Sequence, residues 1–225
     1  MSLGRFADRR EAGRRLAEAV MPLSRHDPVV LALPRGGVPV GFEVARALGA
    51  PLDILLVRKI GAPRHEEYGI GALVDGASPH VVIDQRAARL VGADEAYIDR
   101  EIERQRAEIE RRRAVYCTGP AVSLGGRSVI VVDDGIATGG TVKAALQALA
   151  EVGATQIVLA VPVAPAETLG ELRNLCDRIV CLMQPEPFRA VGAHYDDFAQ
   201  TSDAEVVDLL GQARKLAASG GKSAR

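Results

Sequence analysis

Cysteine and histidine are scarce in this chain. Cys117, Cys176 and Cys181, with four histidines, are scattered over 225 residues and lack the paired spacing of a zinc site. The odd cysteine count does not suit a disulfide framework, so the thiols read as reduced and the setting as cytoplasmic. Cys181 falls in an apolar run and reads as core. Charge of one sign is also lacking. The 28 basic and 29 acidic residues leave a net charge of −1, which favours neither a nucleic acid nor a membrane surface. No apolar run approaches the ~20 residues of a membrane span. Arg5, Asp8, Arg9, Arg10 and Glu11 near the N-terminus do not suit a signal peptide. Hydrophobic content of 48% and charged content of 25% are those of an ordinary globular chain.

What the chain does have is concentrated at residues 128–141, Ser-Val-Ile-Val-Val-Asp-Asp-Gly-Ile-Ala-Thr-Gly-Gly-Thr. The β-branched run Val129 to Val132 predicts a buried strand. It ends in two carboxylates, Asp133 and Asp134, and a glycine loop leads into a helix from about Thr141 to Ala150. A helix N-terminus presents unpaired N–H groups and the positive end of the dipole, which suit a monophosphate. Gly139 and Gly140 let the backbone approach closely, and Thr138 and Thr141 add hydroxyl donors. The loop has neither the Gly-x-x-x-x-Gly-Lys-Ser/Thr pattern of a triphosphate site nor the Gly-x-Gly-x-x-Gly of a dinucleotide site. Paired carboxylates would repel a phosphate. They suit the hydroxyls of a sugar or a hydrated Mg²⁺, and a ribose places a vicinal diol near its 5′-phosphate.

Two further segments have related form. Val29 to Leu33 is an apolar run followed by Pro34-Arg35-Gly36-Gly37 and a helical stretch near Val38 to Leu48. Leu52 to Val57 predicts a strand that ends in Arg58 and Lys59, with a Gly/Pro loop and then Glu66-Glu67-Tyr68-Gly69. On residue pattern alone, the first also suits a plain βα turn with a solvated arginine, and the second a hairpin-like loop with solvated charges.

Val131 to Thr141 resembles the ribose-phosphate loop of the type I phosphoribosyltransferases. The resemblance implies that Asp133 and Asp134 hold the ribose hydroxyls of phosphoribosyl pyrophosphate. It implies that Gly135 and Ala137, Thr138, Gly139, Gly140 and Thr141 surround the 5′-phosphate, and that Mg²⁺ lies near the acids, through water or the hydroxyls. Arg35, Gly36 and Gly37 resemble the family's pyrophosphate loop. Arg58 and Lys59, with the later Glu-Tyr-Gly, resemble the mobile catalytic loop of adenine phosphoribosyltransferase-like enzymes. Lys59 and Arg35 would then neutralise pyrophosphate, and Glu67 matches the glutamate those enzymes direct at the acceptor. Ala137 stands where 6-oxopurine enzymes carry Asp. The segment Phe188 to Phe198 vaguely resembles a family hood, with Phe188 placed to stack on a base; a small hydrophobic plug suits it equally. The implied activity is transfer of the 5-phosphoribosyl group to a nitrogenous acceptor of purine type, with a homodimer as the expected assembly. The family also contains non-catalytic regulators that bind the same ligand.

Apolar runs at Val29–Leu33, Ile54–Val57, Val81–Ile83, Val129–Val132, Ile157–Val161 and Ile179–Leu182 alternate with helical stretches near 38–48, 85–113, 141–152 and 165–175. This alternation predicts an α/β fold with a parallel, twisted sheet of about five strands flanked by helices. Ligands in such sheets bind at the carboxyl ends of the strands, where all three motifs fall. A further helix is expected over Arg5 to Val20. The Glu/Arg-dense stretch 94–113 reads as a solvated helix resting on the domain or as an arm on a second subunit. Expected divisions are a core over 1–184, a hood over 185–216 with a helix at Asp203 to Leu216, and a disordered tail over 217–225.

Overall fold

The computed structural model describes residues 4–23, 27–75, 80–116, 122–150 and 153–220. Five parallel strands form the main sheet: β1 (Pro28–Ala32), β2 (Leu52–Ile54), β6 (Ser128–Val132), β7 (Gln156–Val163) and β8 (Arg178–Met183), in the order β2-β1-β6-β7-β8. Their register is direct, with Leu31 beside Val131 and Val131 beside Leu159. Side chains alternate between the two faces. Val30, Ala32, Ile130 and Val132 enter one apolar layer with helices α1 (Arg9–Val20), α2 (Gly37–Leu48) and α7 (Asp203–Gly220). Val29, Leu31, Val129 and Val131 enter the other, with α5 (Gly140–Leu149) and α6 (Ala166–Leu172). Burial on both faces accounts for the uninterrupted apolar runs, and the expected α/β sheet of five strands is the one observed.

Val81–Ile83 was expected in that sheet and is not there. It lies in β5 (His80–Ile83), the edge of a separate antiparallel sheet with β3 (Val57–Ala62) and β4 (His65–Val74). The strand expected over 52–57 is likewise two strands. β2 ends at Ile54, and the chain leaves the main sheet at Leu55 and Leu56 to begin β3 at Val57. The expected loop after Arg58 and Lys59 is a β-hairpin that turns near Arg64, whose φ is 64°.

The single helix expected over 85–113 divides at Gly92, which takes the left-handed φ of 69°. It closes α3 (Gln85–Leu90), and the Asp94 carboxylate accepts from the Tyr97 amide at 2.7 Å to open α4 (Glu95–Tyr116). The N-terminal helix starts at Arg9 rather than Arg5, because Asp8 accepts from the Glu11 amide at 2.7 Å and caps it. Phe6 instead forms a parallel bridge with Tyr195. The expected hood also divides. Residues 185–202 join this N-terminal segment, whereas α7 places Val206, Leu209, Leu210 and Ala213 in the main core. Helix α7 continues through Gly220, past the expected end at Leu216, so the tail expected from 217 is helical over its first four residues. Residues 221–225 and Cys117 lie outside the described residues. Among the described residues no helix is long and apolar enough to cross a membrane.

Candidate functional site

Strand β6 is buried along its whole length and delivers Asp133 and Asp134 at its carboxyl end. The Asp134 amide donates to Asp133 Oδ1 at 2.8 Å. The loop after the neighbouring β1 lies directly on this pair. Leu33 N–H donates to Val132 O at 2.9 Å, and Gly37 N–H to Leu33 O at 3.0 Å. A Cβ at Gly37 would stand 2.8 Å from Val132 O and 3.0 Å from Asp133 Cα, and one at Gly36 would overlap the Asp134 carboxylate. The two loops meet because the residues between them are glycines. Gly36→Ala is therefore expected to push the Asp134 carboxylate aside. Ribose 5-phosphate affinity, read by calorimetry, should fall about tenfold, roughly the worth of one charge-assisted hydrogen bond.

Burial raises the Asp133 pKa well above the usual carboxylate range, and the adjacent Asp134 charge raises it further. Burial also raises that of Asp134, against the opposing pull of Arg9. Arg9, the first residue of α1, brings its Nε to 2.7 Å from Asp134 Oδ2, with both side chains largely buried. The guanidinium lies 3.9 Å over the Phe198 ring and donates from Nη1 to Ala199 O at 2.7 Å. Tyr195, fully buried, donates its hydroxyl to the Asp134 carbonyl at 2.5 Å. Burial, followed by the Asp134 charge, pushes the Tyr195 pKa up.

Beyond the acids, Ile136 anchors the loop by burial and by donating its N–H to Val163 O at 2.9 Å. Thr168 Oγ1 donates to Ala137 O at 2.9 Å. Gly139 takes φ 73° at the N-cap of α5, where a Cβ would also strike Thr168. With its frame fixed on β7 and α6, the loop leaves Ala137, Thr138, Gly140 and Thr141 exposed. A hollow lined by Asp133 and residues 135–142 shares Thr138, Gly140 and Thr141 with a cleft of ≈ 610 Å³ that is bounded by these residues and Lys143 on one side and the β3–β4–β5 sheet on the other.

Lys59 lines that cleft, its stem packed over Gly69. Arg58 does not. As its neighbour on a strand it faces the opposite side, where Nε donates to Gln105 Oε1 at 2.8 Å and Gln105 in turn donates to Glu101 at 2.6 Å. Burial lowers the Arg58 pKa there. Arg35 stands beside Gly36, its Nη1 3.5 Å from Asp203 at the start of α7. Asp203 also accepts the Tyr116 hydroxyl at 2.5 Å, and this bond holds its carboxyl below the ordinary range. Glu67 is carried on β4, and its side chain lies outside the described residues. Phe188 is set in the small cluster of Phe6, Met183 and Tyr195, nearly parallel to His194 at 5.9 Å; it is not among the residues lining the cleft.

The structure thus brings Gly36 and Gly37 against Asp133 and Asp134, and places Lys59 across a cleft from Thr138, Gly140 and Thr141 of the 135–141 loop, while Arg35 beside Gly36 turns its guanidinium to Asp203. It separates Arg58 and Phe188 from them. It adds Arg9, Tyr195 and Lys143, which sequence reasoning did not single out. Lys143 is legible in retrospect, two residues past Thr141 in the first turn of α5.

The family model for the phosphoribosyl transferase domain matches residues 7–197. Proteins of two Mycobacterium tuberculosis strains, provisionally named phosphoribosyl transferases, are 44% identical over 211 residues. That match covers 93% of this chain and 47% of theirs, so the chain spans about half their length. The crystal structure of TT1426 from Thermus thermophilus is similar at a TM-score of 0.81 and 45% identity, covering 92% of this chain and 98% of that one.

Proposed function

The chain belongs to the phosphoribosyl transferase domain family, and from that premise we propose that it transfers the 5-phosphoribosyl group of phosphoribosyl pyrophosphate to a nitrogenous acceptor. The observation that carries this reading is the convergence at one sheet end of an acid pair, an exposed amide loop at a helix N-terminus, and Lys59 across the cleft. An ester phosphate calls for the amide loop, a diol for the acid pair and a diphosphate for a cation.

In the reaction a bond forms from the acceptor nitrogen to the anomeric carbon, and the bond from that carbon to the pyrophosphate oxygen breaks. The nitrogen loses its proton, and the leaving diphosphate takes the electron pair. Residues 135–141 hold the 5′-phosphate, and Asp133 and Asp134 accept from the ribose hydroxyls. With both ends fixed, orientation supplies much of the rate. Lys59, and Arg35 beside Gly36, meet the negative charge that grows on pyrophosphate. Glu67, on the same hairpin as Lys59, takes the acceptor proton in this scheme. Purine-type bases are the first acceptors to try, and Ala137 in place of Asp makes adenine-like bases the leading ones.

The donor set fits a hydrated Mg²⁺ that arrives with the ligand rather than a caged ion. Among the described residues no group of three or more His, Cys, Asp or Glu could hold a metal ion, and Arg9 occupies one oxygen of Asp134. Mg²⁺ needs only one or two carboxylates with phosphate oxygens and water. Asp133 and Asp134 would hold it, through water or the ribose hydroxyls. When bound, the ion supplies positive charge to the diphosphate.

The test is a screen of nucleobases and small amines with phosphoribosyl pyrophosphate and Mg²⁺, measuring pyrophosphate and the phosphoribosylated product in equal amounts. Tight binding without release for any acceptor would instead make the protein a non-catalytic sensor of the same ligand. Absence of binding would defeat both readings.

A further inference from the structure

We propose that Arg9 is a positioning residue for the sugar diol, so that the N-terminal helix and the segment around Phe198 complete the ribose half of the site. This rests on the phosphoribosyl reading above and assigns the part of it that the acid pair alone does not explain. Two adjacent, partly buried carboxylates repel each other, and each is free to rotate away unless something fixes it. The Asp134 amide holds Asp133 Oδ1, and Arg9 holds Asp134 Oδ2. The two carboxyls also lie within hydrogen-bonding reach of each other, a shared contact that the two donors of a vicinal diol would replace.

Arg9 is itself held on three sides. Nε meets Asp134, Nη1 meets Ala199 O, and the guanidinium plane rests on Phe198. Only a planar fork makes all three contacts at once. Tyr195 holds the backbone of Asp134 from the same side. The approach of α1 depends on Gly13, where a Cβ would stand 2.7 Å from Val40 O of α2. The helix can therefore come close enough to bring Arg9 to the acid pair. An ion pair with a purely structural task would not need to fall on the carboxylate proposed to hold the ligand.

The experiment compares wild type, Arg9→Gln and Arg9→Lys by calorimetry with three probes: ribose 5-phosphate, 2-deoxyribose 5-phosphate and inorganic phosphate. Wild type should prefer ribose 5-phosphate over the deoxy sugar at least about fivefold, the scale of one hydrogen bond to a charged group. In Arg9→Gln that preference should shrink towards unity while inorganic phosphate binds within about twofold of wild type. Arg9→Lys should keep part of the preference, since charge remains and the fork is lost. Full preference in Arg9→Gln, or a parallel loss of phosphate affinity, overturns the proposal. If Arg9→Gln does not fold, full preference in Arg9→Lys overturns it and a reduced one supports it. A wild type without preference for the ribo sugar removes the diol reading itself, and this inference with it.

Discussion

The double replacement of Asp133 and Asp134 by asparagine should abolish measurable binding of ribose 5-phosphate and leave the fold intact. Each carboxylate is assigned a hydrogen bond from a ribose hydroxyl, and hydrogen bonds to charged groups contribute about 1.5–3 kcal/mol each. Loss of two corresponds to a drop of roughly 10²–10⁴-fold. The amide side chains are nearly isosteric, but they present N–H₂ where the hydroxyls need acceptors. Stability should change little. Burial already disfavours the charged form of both acids, so neutral residues relieve that cost, and an amide oxygen at position 134 can still accept from Arg9. Strand β6 and the Ile136 anchor do not involve either carboxylate. Calorimetry with ribose 5-phosphate and a thermal melt of the same preparation check this. Unchanged affinity in a folded double variant would remove the acid pair from the site. A large fall in Tm would instead make the pair a structural device.

The acid pair and its loop were legible because their chemistry is contiguous. One strand, two acids and one helix start are fixed within 14 residues of sequence, and backbone geometry alone brings them to the end of the sheet. The central strands β1, β6 and β7 were legible for a similar reason, since burial on both faces writes an unbroken apolar run. Val81–Ile83 carries the same apolar signature yet belongs to the second sheet, because composition does not encode which edge a strand joins. Arg58 and Lys59 show the limit at single residues. Read as a loop, both can face a ligand; placed on a strand, they must part, and Arg58 goes to Gln105. Arg9 was hidden for another reason. It is one of five arginines in the first 15 residues, and nothing local separates it from Arg10 or Arg14. Its contact with Asp134 spans 125 positions and follows from how α1 docks on α2. Gly92, by contrast, could have been read as a helix stop, since glycine takes the left-handed closing conformation without strain.

That parting of Arg58 and Lys59 supplies the sharpest test of the chemistry. Lys59→Ala should lower pyrophosphate release about 10²-fold or more, the usual cost of removing one charge-stabilising group from a site where charge develops. Ribose 5-phosphate lacks the diphosphate, so its affinity should stay within about twofold, because the lost interaction is made to the leaving group. Lys59→Arg should recover part of the rate by keeping a cation on the same strand face. Arg58→Ala removes the neighbour with the same formal charge, yet its effects should be reversed. The half-buried bond to Gln105 is lost, Tm falls by several degrees as expected for about 1–2 kcal/mol, and the rate per folded molecule is little changed. Steady-state pyrophosphate release, with calorimetry and thermal melts on the three variants, separates these outcomes. If Lys59→Ala loses rate and ribose 5-phosphate affinity to the same extent, Lys59 belongs to the sugar-phosphate half of the cleft and another cation must meet the leaving group. Arg35 would then be next in line, since it stands beside Gly36 with only the half-exposed Asp203 as its charged partner among the described residues.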